Sequence, residues 1–387
     1  MSIDWIEYKL EELLAYEQPT AYIVNSTDYH ESYKTPVLTA GKSFIIGYTN
    51  EKIGIYDKLP VIIFDDFTTA SQYVNFSFKV KSSAMKILTA NPELVLPKFI
   101  FYMMQTIQFN HDTHKRYWIQ LYSQIKVKIP SLPEQERIVA KIEELFSQLD
   151  AAVAELKSVK EKLAIYRQAV LKEAFDIALK FTEKTMAIED FLTTERKGMA
   201  TGPFGTMLKK HEHKQSGVPM LGIENIGKGK FVDGNKIFVT PEKAKELKSF
   251  ALETNDIIIS RSGTVGEICA VPARMQGALL STNLMRVSLN SQKVLSEYFI
   301  YMFQSKGVVL DQVKELCKGS TRIFLNQTIL KSIKFPIPSI PKQKQIIDQI
   351  ESQVSICNNI EQTVNTALQQ ATALRQSILK QAFEGNL

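Results

Sequence analysis

The sequence predicts an α+β protein in which two mixed α/β domains alternate with two long helices, and three observations support this fold class. A segment of helical character occurs twice, beginning at Ile129 and again 208 residues later at Ile337. Neither copy contains proline or glycine between its opening prolines and its C-terminal end, as expected of an uninterrupted helix. Glycine-containing turns and segments rich in β-branched residues occupy the two stretches before these copies.

The two copies have the same length and match at both ends. IPSLPEQERI at Ile129 corresponds to IPSIPKQKQI at Ile337, and YRQAVLKEAF at Tyr166 corresponds to LRQSILKQAF at Leu374. The 47 aligned positions contain 15 identities and no gap. Equal length favours one unit used twice, packed as an antiparallel pair about a pseudo-two-fold axis. The alternatives are two unrelated long helices on a core, or a general dimerisation coil.

Apolar residues recur in each copy at coiled-coil spacing. A helix of about 45 residues would be roughly 68 Å long. The second copy is richer in Gln, Asn and Thr, so we expect looser packing or completion by a partner helix. The predicted buried stripes are Ile138, Ile142, Leu145, Leu149, Val153, Leu156 and Val159 (or Leu163) in the first copy, and Ile346, Ile350, Val354, Cys357, Ile360, Val364, Ala367, Ala371, Leu374 and Ile378 in the second.

The repeat divides the chain into four predicted regions: a first domain 1–128, a first helical spacer 129–179, a second domain 180–336 and a second spacer 337–387. Strand-like segments are 61–67, 74–80 and 256–260. Each domain ends on a similar amphipathic aromatic helix, at 98–106 and at 297–305. The centres of the two domains differ almost completely, which suits two surfaces of one fold with different targets.

The composition is that of a protein with a hydrophobic core, and the charge modestly favours an anionic partner. Hydrophobic residues make up 44% and charged residues 23%. No run approaches the roughly 18 apolar residues of a membrane span. The formal net charge of +6 modestly favours binding to phosphates. Cys269, Cys317 and Cys357 lack ligand spacing and indicate free thiols in a reducing cytoplasm.

Motifs that would indicate catalysis are absent from the sequence or incomplete. Neither an Asn/Asp-Pro-Pro-Tyr/Phe methylation loop nor a glycine-rich cofactor turn is found, and Lys42 follows Thr39-Ala40-Gly41 without the earlier glycine of a phosphate loop. His211-Glu212-His213 is better explained as a solvated loop than as a metal site. Asp65-Asp66 most simply caps a turn or orients a basic neighbour. We therefore predict no catalytic residues, no metal site and no cofactor bound by this chain.

The sequence resembles the specificity subunits of Type I restriction-modification enzymes over essentially its whole length. The resemblance is carried by the alternation of domain and helical spacer together with several motifs. These are TPVLTAGKSFIIGYTNEKIGIYDKLPVIIFDDFTT at Thr35, FKVKSSAMKIL at Phe78, GPFGTMLKKHEHKQSGVPMLGIENIGKGKF at Gly202, NDIIISRSGTVGEICAV at Asn255 and KGSTRIFLNQTILKSIKFPIPSIPKQKQI at Lys318.

The resemblance implies two target-recognition domains that each read one half of a bipartite, double-stranded DNA site. It also implies that the helices set the spacing of the half-sites and carry two modification subunits. Those subunits would transfer methyl groups from S-adenosylmethionine to adenine N6, and restriction subunits would add ATP- and Mg-dependent translocation and cleavage.

Candidate DNA-binding residues follow from the side chains that contact phosphates and base edges: Arg and Lys for phosphate or guanine, Asn and Gln for adenine, and Ser and Thr for either. For Arg261 and Thr264 a fold-stabilising turn is the alternative. The candidates are Lys42, Tyr48, Thr49, Thr68, Thr69, Lys81, Ser82, Ser83, Lys115 and Arg116 in the first domain, and Lys209, Lys210, His211, His213, Lys214, Lys228, Lys230, Ser260, Arg261, Ser262, Thr264 and Arg322 in the second.

Three other functions compete with this prediction. A catalytic DNA methyltransferase or nuclease requires the missing catalytic loop and cofactor turn. A coiled-coil scaffold predicts no salt-dependent DNA binding and gives no reason for two elaborate domains. The specificity subunit of another multisubunit restriction system is a nearer alternative that the sequence leaves open.

Overall fold

The computed structural model describes residues 5–41, 43–109, 116–182, 184–205, 207–227, 229–316 and 324–387. The chain divides into two compact units. Unit 1 comprises Met1–Lys157 and Asn365–Leu387, and unit 2 comprises Ser158–Val364. Each unit therefore contains one mixed α/β segment with part of each long helix. The four regional boundaries drawn from the sequence stay predictions.

The first half of the chain contains short strands, two short helices and the first long helix. Its strands are β1 Ile6–Lys9, β2 Leu14–Glu17, β3 Thr35–Leu38, β4 Ile45–Thr49, β5 Val61–Asp65, β6 Ser71–Val74, β7 Lys79–Val80, β8 Met85–Ala90 and β9 Lys126–Ile129. Its helices are α1 Leu10–Leu13, α2 Pro97–Met104 and α3 Leu132–Lys180.

The second half has a similar order of elements. Its strands are β10 Thr185–Met186, β11 Met199–Thr201, β12 Val218–Leu221, β13 Ile226–Gly227, β14 Lys230–Phe231, β15 Ile237–Val239, β16 Ile257–Ser260, β17 Ile268–Ala270, β18 Leu279–Leu280, β19 Leu284–Val287 and β20 Phe335–Pro336. Its helices are α4 Pro241–Glu246, α5 Ser296–Gln304, α6 Leu310–Leu316, α7 Gln327–Ser332 and α8 Ile340–Phe383.

The two units repeat one sheet topology. Unit 1 has an antiparallel four-stranded sheet in the order β2-β8-β5-β6, and unit 2 has β11-β19-β16-β17. Each also has a mixed three-stranded sheet, β4-β3-β7 and β15-β12-β18, with one antiparallel and one parallel pairing. A two-stranded pairing, β1-β9 or β10-β20, precedes the long helix that follows each unit's domain. The predicted α+β fold class is confirmed.

One strand prediction is wrong. Segment 74–80 alternates apolar and polar residues like a single strand, but β6 ends at Val74 and β7 contains only Lys79 and Val80. Phe78 forms an isolated bridge with Tyr56, and β7 pairs with β3 in the other sheet. The alternation is real, because these apolar side chains enter one core, but the chain changes sheets within it.

Each long helix is attached to its domain by a buried glutamine at the same position of the repeat. In unit 1, Oε1 of Gln135 accepts the backbone N–H of Leu96 at 2.8 Å, and Nε2 donates to the carbonyls of Leu94 and Pro130, both at 2.9 Å. Gln135 is fully buried. The amide thus satisfies three backbone groups where helix α2 begins.

Gln343 makes the equivalent bonds in unit 2. It accepts from the N–H of Leu295 at 2.9 Å and donates to the carbonyls of Lys293 and Pro338, both at 2.8 Å. Leu295 thereby corresponds to Leu96, an equivalence that aligns α5 with α2. The two domains therefore share a frame that extends beyond the helical repeat.

Replacement of Gln343 by leucine is expected to lower the free energy of unfolding of unit 2 by about 3 kcal/mol, because three buried backbone groups lose their partner. Hydrogen exchange of α5 and of the start of α8 would measure the loss within unit 2. Gln349→Leu, an exposed position on the same helix, is the matched control. Equal protection in the two variants would contradict the anchoring role.

The long helices run antiparallel within each unit. In unit 1, Arg375 pairs with Asp150, and Arg137 donates to the carbonyl of Leu387 at 2.9 Å. In unit 2, Arg167 pairs with Glu361 at 2.8 Å. The arginines conserved between the two repeats thus contribute to the helix pair itself.

The predicted stripes are buried or half-buried at nearly every position, and the buried ones are Ile138, Ile142, Leu163, Ile346, Ile350, Cys357, Val364 and Ile378. Ile360 and Leu374 are exceptions, with 40% and 51% of their surface exposed. A helix that packs on one neighbour buries a narrow face, so part of a wide apolar stripe stays in solvent. Within the described ranges, no helix is both long enough and apolar enough to cross a membrane.

Candidate nucleic-acid interface

Two turns occupy equivalent places in the two four-stranded sheets. After β5, Asp66 donates its N–H to the carbonyl of Ala84 at 3.0 Å and accepts from the N–H of Tyr117 at 2.9 Å. After β16, Arg261 donates to Asn283 at 2.9 Å and accepts from Leu325 at 3.0 Å. Since Tyr117 and Leu325 are separated by the same 208 residues as the helical repeat, Asp66 and Arg261 are structural counterparts.

The turn of unit 1 is capped by the first residue of the Asp65-Asp66 pair. Oδ1 of Asp65 accepts the backbone N–H groups of Phe67 at 2.9 Å and Thr68 at 2.8 Å. Thr69 has φ of 55°, a left-handed conformation rare for a β-branched residue. The carboxylate thus holds a tight turn that presents Thr68 to solvent.

The second residue of the pair is buried with a lysine. Oδ2 of Asp66 lies 3.3 Å from Nζ of Lys86, and both side chains are fully buried. Oδ1 of Asp66 accepts the N–H of Trp118 at 2.8 Å. The contact with Lys86 is an ion pair whose geometry is not that of a hydrogen bond. The interpretation that Asp65-Asp66 caps a turn and orients a basic neighbour is confirmed.

The turn of unit 2 is organised by Arg261, which is only 4% exposed. Its Nε donates to the carbonyl of Leu325 and its Nη1 to that of Thr282, each at 3.2 Å. The guanidinium lies 4.5 Å from the ring centroid of Phe324 and 5.7 Å from that of Phe204. Burial lowers the pKa of Arg261 from its ordinary value. One side chain therefore fixes three loops.

The loop that carries Phe204 is held close to the same place. The Thr282 hydroxyl donates to the carbonyl of Pro203 at 2.6 Å. A Cβ on Gly202 would lie 2.0 Å from the carbonyl oxygen of Ser281, so only glycine permits this approach. Phe204 is nevertheless 54% exposed and Phe324 is 39% exposed. Arg261 thus supports two aromatic rings at the surface.

Comparison with known proteins places the chain in a family. Residues 189–370 match the type I restriction modification DNA specificity domain. The chain is 33% identical over 374 residues to the EcoR124I/EcoR124II specificity subunit of Escherichia coli, an alignment that covers 93% of this chain and 89% of that relative. The chain belongs to the type I restriction enzyme specificity subunits.

More distant matches include another specificity subunit, and two solved structures share the fold. The StySPI specificity subunit of Salmonella potsdam is 25% identical over 268 residues, which cover 68% of this chain and 58% of that relative. A chain from a structural study of complex assembly and conformational transition of the type I R-M system covers 99% of this chain, with a TM-score of 0.71 at 17% identity. The HsdS subunit from Thermoanaerobacter tengcongensis covers all of it with a TM-score of 0.53 at 16% identity.

This membership confirms the prediction of a noncatalytic DNA-recognition subunit of a type I restriction-modification system. It also decides against the catalytic methyltransferase or nuclease, the simple scaffold and the specificity subunit of another system.

The structure distributes the predicted contact residues of this specificity subunit over several surface groups. Lys81, Ser82 and Ser83 are exposed between β7 and β8. Arg116 is exposed directly before Tyr117, whose N–H bonds to Asp66. Tyr48 is half-buried and Thr49 is buried on β4. Lys42, Lys115, Lys228 and Arg322 lie outside the described residues. Contact of these exposed side chains with DNA stays a prediction.

A second exposed group surrounds a short 3₁₀ helix, Lys210–Glu212. Lys209, Lys210, His211 and Lys214 are exposed, His213 is half-buried, and Lys230 is exposed on β14. The Glu212 carboxylate accepts the N–H of Lys209 at 2.6 Å and pairs with Lys243 at 2.8 Å. Both contacts lower the pKa of Glu212, and the hydrogen bond from the Lys209 backbone has the larger effect. Its carboxylate therefore stabilises this turn.

The third group is the turn after β16. Ser260 is buried and its Oγ donates to the carbonyl of Ser262 at 3.0 Å, while Oγ1 of exposed Thr264 donates to Oγ of Ser260 at 3.3 Å. With Arg261 also buried, these contacts favour the fold-stabilising alternative for this turn. Sequence reasoning omitted Phe204 and Phe324 because it selected polar groups. The sequence Gly202-Pro203-Phe204-Gly205 places an aromatic ring in a turn, and this pattern could have indicated that Phe204 is exposed.

Proposed function

We propose that the two domains of this specificity subunit read the two halves of a bipartite DNA site, with the helix pair setting the distance between the half-sites. The observation that carries the proposal is the shared frame with different turns. Gln135 and Gln343 make the same three hydrogen bonds, yet equivalent positions hold Asp66 in unit 1 and Arg261 in unit 2. One scaffold with two different surfaces is suited to two different base sequences.

The charge of the exposed groups supports DNA as the ligand. Lys81, Arg116, Lys209, Lys210 and Lys214 carry positive charge at the surface, and the whole chain has a net charge of +6. Lysine and arginine bind phosphates and position a protein, and they can also read guanine, while amides and hydroxyls read other base edges.

The helix pair supports the proposed docking of two modification subunits. Ile165, Tyr166, Ile356, Ile360 and Leu374 on the long helices are 40–70% exposed. Apolar side chains repeated along a helix surface are typical of a helix-packing partner. In this proposal S-adenosylmethionine binds to the modification subunits, ATP and Mg bind to restriction subunits, this chain binds no cofactor, and the complex acts in the cytoplasm.

Genome-wide mapping of N6-methyladenine tests this function. Deletion of the gene is expected to abolish methylation at one split motif, and substitutions in the turns of unit 2 are expected to alter one half of that motif. Substitutions in the equivalent turn of unit 1 are the internal control and should alter the other half of the motif. Loss of a continuous motif, or of none, would contradict the proposal.

Replacing Lys209, Lys210 and Lys214 together by alanine is expected to weaken DNA binding about tenfold or more at physiological salt, because each lysine–phosphate contact releases counterions. The slope of log K against log salt should fall in magnitude by about two to three.

The control for this variant replaces the exposed spacer residues Lys157, Lys162 and Lys172 and changes net charge equally. Salt titrations of DNA affinity in both variants measure the effect. An identical slope change in the two would show that overall charge, rather than the Lys209–Lys214 cluster, governs binding.

A further inference from the structure

The helix pair presents matching residues to each domain. Arg375 in unit 1 and Arg167 in unit 2 are repeat counterparts, 208 residues apart. Arg375 pairs with Asp150, and Nη2 of Arg167 donates to Oδ1 of Asn358, the counterpart of Asp150, at 2.7 Å. An arginine at the same repeat position therefore bridges the two helices in both units. This correspondence allows the neighbouring side chains to be compared one by one.

In unit 1 an aromatic ring fills the space beside this arginine. Phe146 is 8% exposed, and the guanidinium of Arg375 lies 4.2 Å from its ring centroid. Tyr102 of α2 meets the same ring edge-to-face, with centroids 5.7 Å apart and planes at 89°. A cation on the ring and a perpendicular aromatic neighbour are both favourable for phenylalanine.

In unit 2 the counterpart of Phe146 is Val354. Tyr301 on α5 corresponds to Tyr102, because the two tyrosines lie six residues after the equivalent Leu295 and Leu96. Val354, Tyr301 and Arg167 now line a partly open cavity of about 900 Å³. The arginine and the tyrosine are retained, and the ring that they hold in unit 1 is missing.

Part of the remaining cavity wall is apolar and suits an apolar group, while Lys230, Glu267, Glu297, Lys306 and Glu361 line its charged parts. Ala164, Ile165 and Leu171 of α3 line it together with Ile300 of α5 and Leu310 of α6. Ile165 is 70% exposed. Cavities of roughly 300–1,000 Å³ with mainly apolar walls are typical of ligand and side-chain binding sites.

We propose that this cavity of unit 2 receives an aromatic side chain of the modification subunit. Its ring takes the place that Phe146 occupies in unit 1, between the guanidinium of Arg167 and the ring of Tyr301. The inference rests on the proposed function, which supplies the partner. It adds that the two units hold their partners differently, since unit 1 already contains its own ring.

The test uses the full chain and its purified modification subunit. Val354→Phe places a ring in the cavity and is expected to weaken assembly at least tenfold, without lowering the melting temperature. Val354→Ala leaves the cavity open and should stay within about twofold of wild type. Wild-type affinity in Val354→Phe would overturn the proposal. So would an equal loss in Val354→Ala, since affinity would then follow the valine and not the space.

A second variant avoids the buried position. Ile165→Glu changes an exposed side chain at the cavity, and we expect at least a tenfold loss of assembly with unchanged unfolding. Photocrosslinking from a benzophenone amino acid at position 165 should capture a segment of the modification subunit that contains an aromatic residue. Capture of a segment without one would overturn the proposal. If the wild-type chain binds no modification subunit, the proposed function itself fails, and the cavity assignment fails with it.

Discussion

Replacing Asp66 by alanine is expected to lower the free energy of unfolding of unit 1 by about 3–5 kcal/mol. Lys86 would remain fully buried without the carboxylate that lies 3.3 Å from its ammonium group. The N–H of Trp118 would also lose its acceptor. Because an uncompensated buried charge costs more than the pair contributes, this single change should be among the most damaging in the domain.

Chemical denaturation combined with hydrogen exchange of β5 and β8 measures this effect within unit 1. The matched control removes both charges, as Asp66→Asn with Lys86→Met. Methionine is the natural choice, because Met285 of β19 pairs with Ile259 as Lys86 of β8 pairs with Phe64, and Met285 lies in the apolar core of unit 2. The double variant should be clearly more stable than Asp66→Ala. A single variant within about 1 kcal/mol of wild type would contradict the burial argument.

Arg261→Ala is expected to weaken binding of the second half-site about a hundredfold, through the loss of loop geometry that costs roughly 3 kcal/mol. The carbonyls of Leu325 and Thr282 would lose their donor, and Phe204 and Phe324 would lose the guanidinium between them. The complex with the modification subunits should still assemble, since Arg261 lies in the recognition turn and not on the long helices.

The salt dependence separates a positioning role from a direct DNA contact. A guanidinium that neutralises a phosphate contributes about 0.9 to the slope of log K against log salt. A buried Arg261 that positions loops contributes nothing, so the slope should match wild type while affinity falls. Arg261→Lys keeps the charge without the planar fork and should recover little. A slope reduced by about one would instead assign Arg261 to the phosphate backbone.

Much of the architecture follows from local sequence patterns. Apolar spacing, opening prolines and the lack of internal glycine are enough to define α3 and α8, because helix formation depends on neighbouring residues. The repeat is visible because the two copies match at both ends, and Gln135 and Gln343 lie in the matched opening segments. The amphipathic segments at 98–106 and 297–305 correspond to α2 at Pro97–Met104 and α5 at Ser296–Gln304 for the same reason. Family membership likewise depends on the order of these patterns.

Side-chain roles depend on distant contacts that a sequence does not show. Arg261 has the residue type and the turn context of a DNA contact, yet partners 21 and 64 residues away bury it. Phe204 is apolar and so is not among the polar candidates for DNA contact, yet more than half of its surface is exposed. Segment 74–80 has the alternation of one strand, although its two ends pair in different sheets.

The sequence by itself therefore determined the α+β class and the two-domain plan with paired helices, since these depend on periodicity and repetition. Its motifs carry the family resemblance that implies the noncatalytic recognition role. Only the tertiary structure decided that Asp66 and Arg261 are counterparts, that Phe146 fills one repeat while Val354 leaves the other open, and which cations face solvent. The physical reason is that burial and pairing are set by residues tens to hundreds of positions apart, and the fold alone brings them within bonding distance.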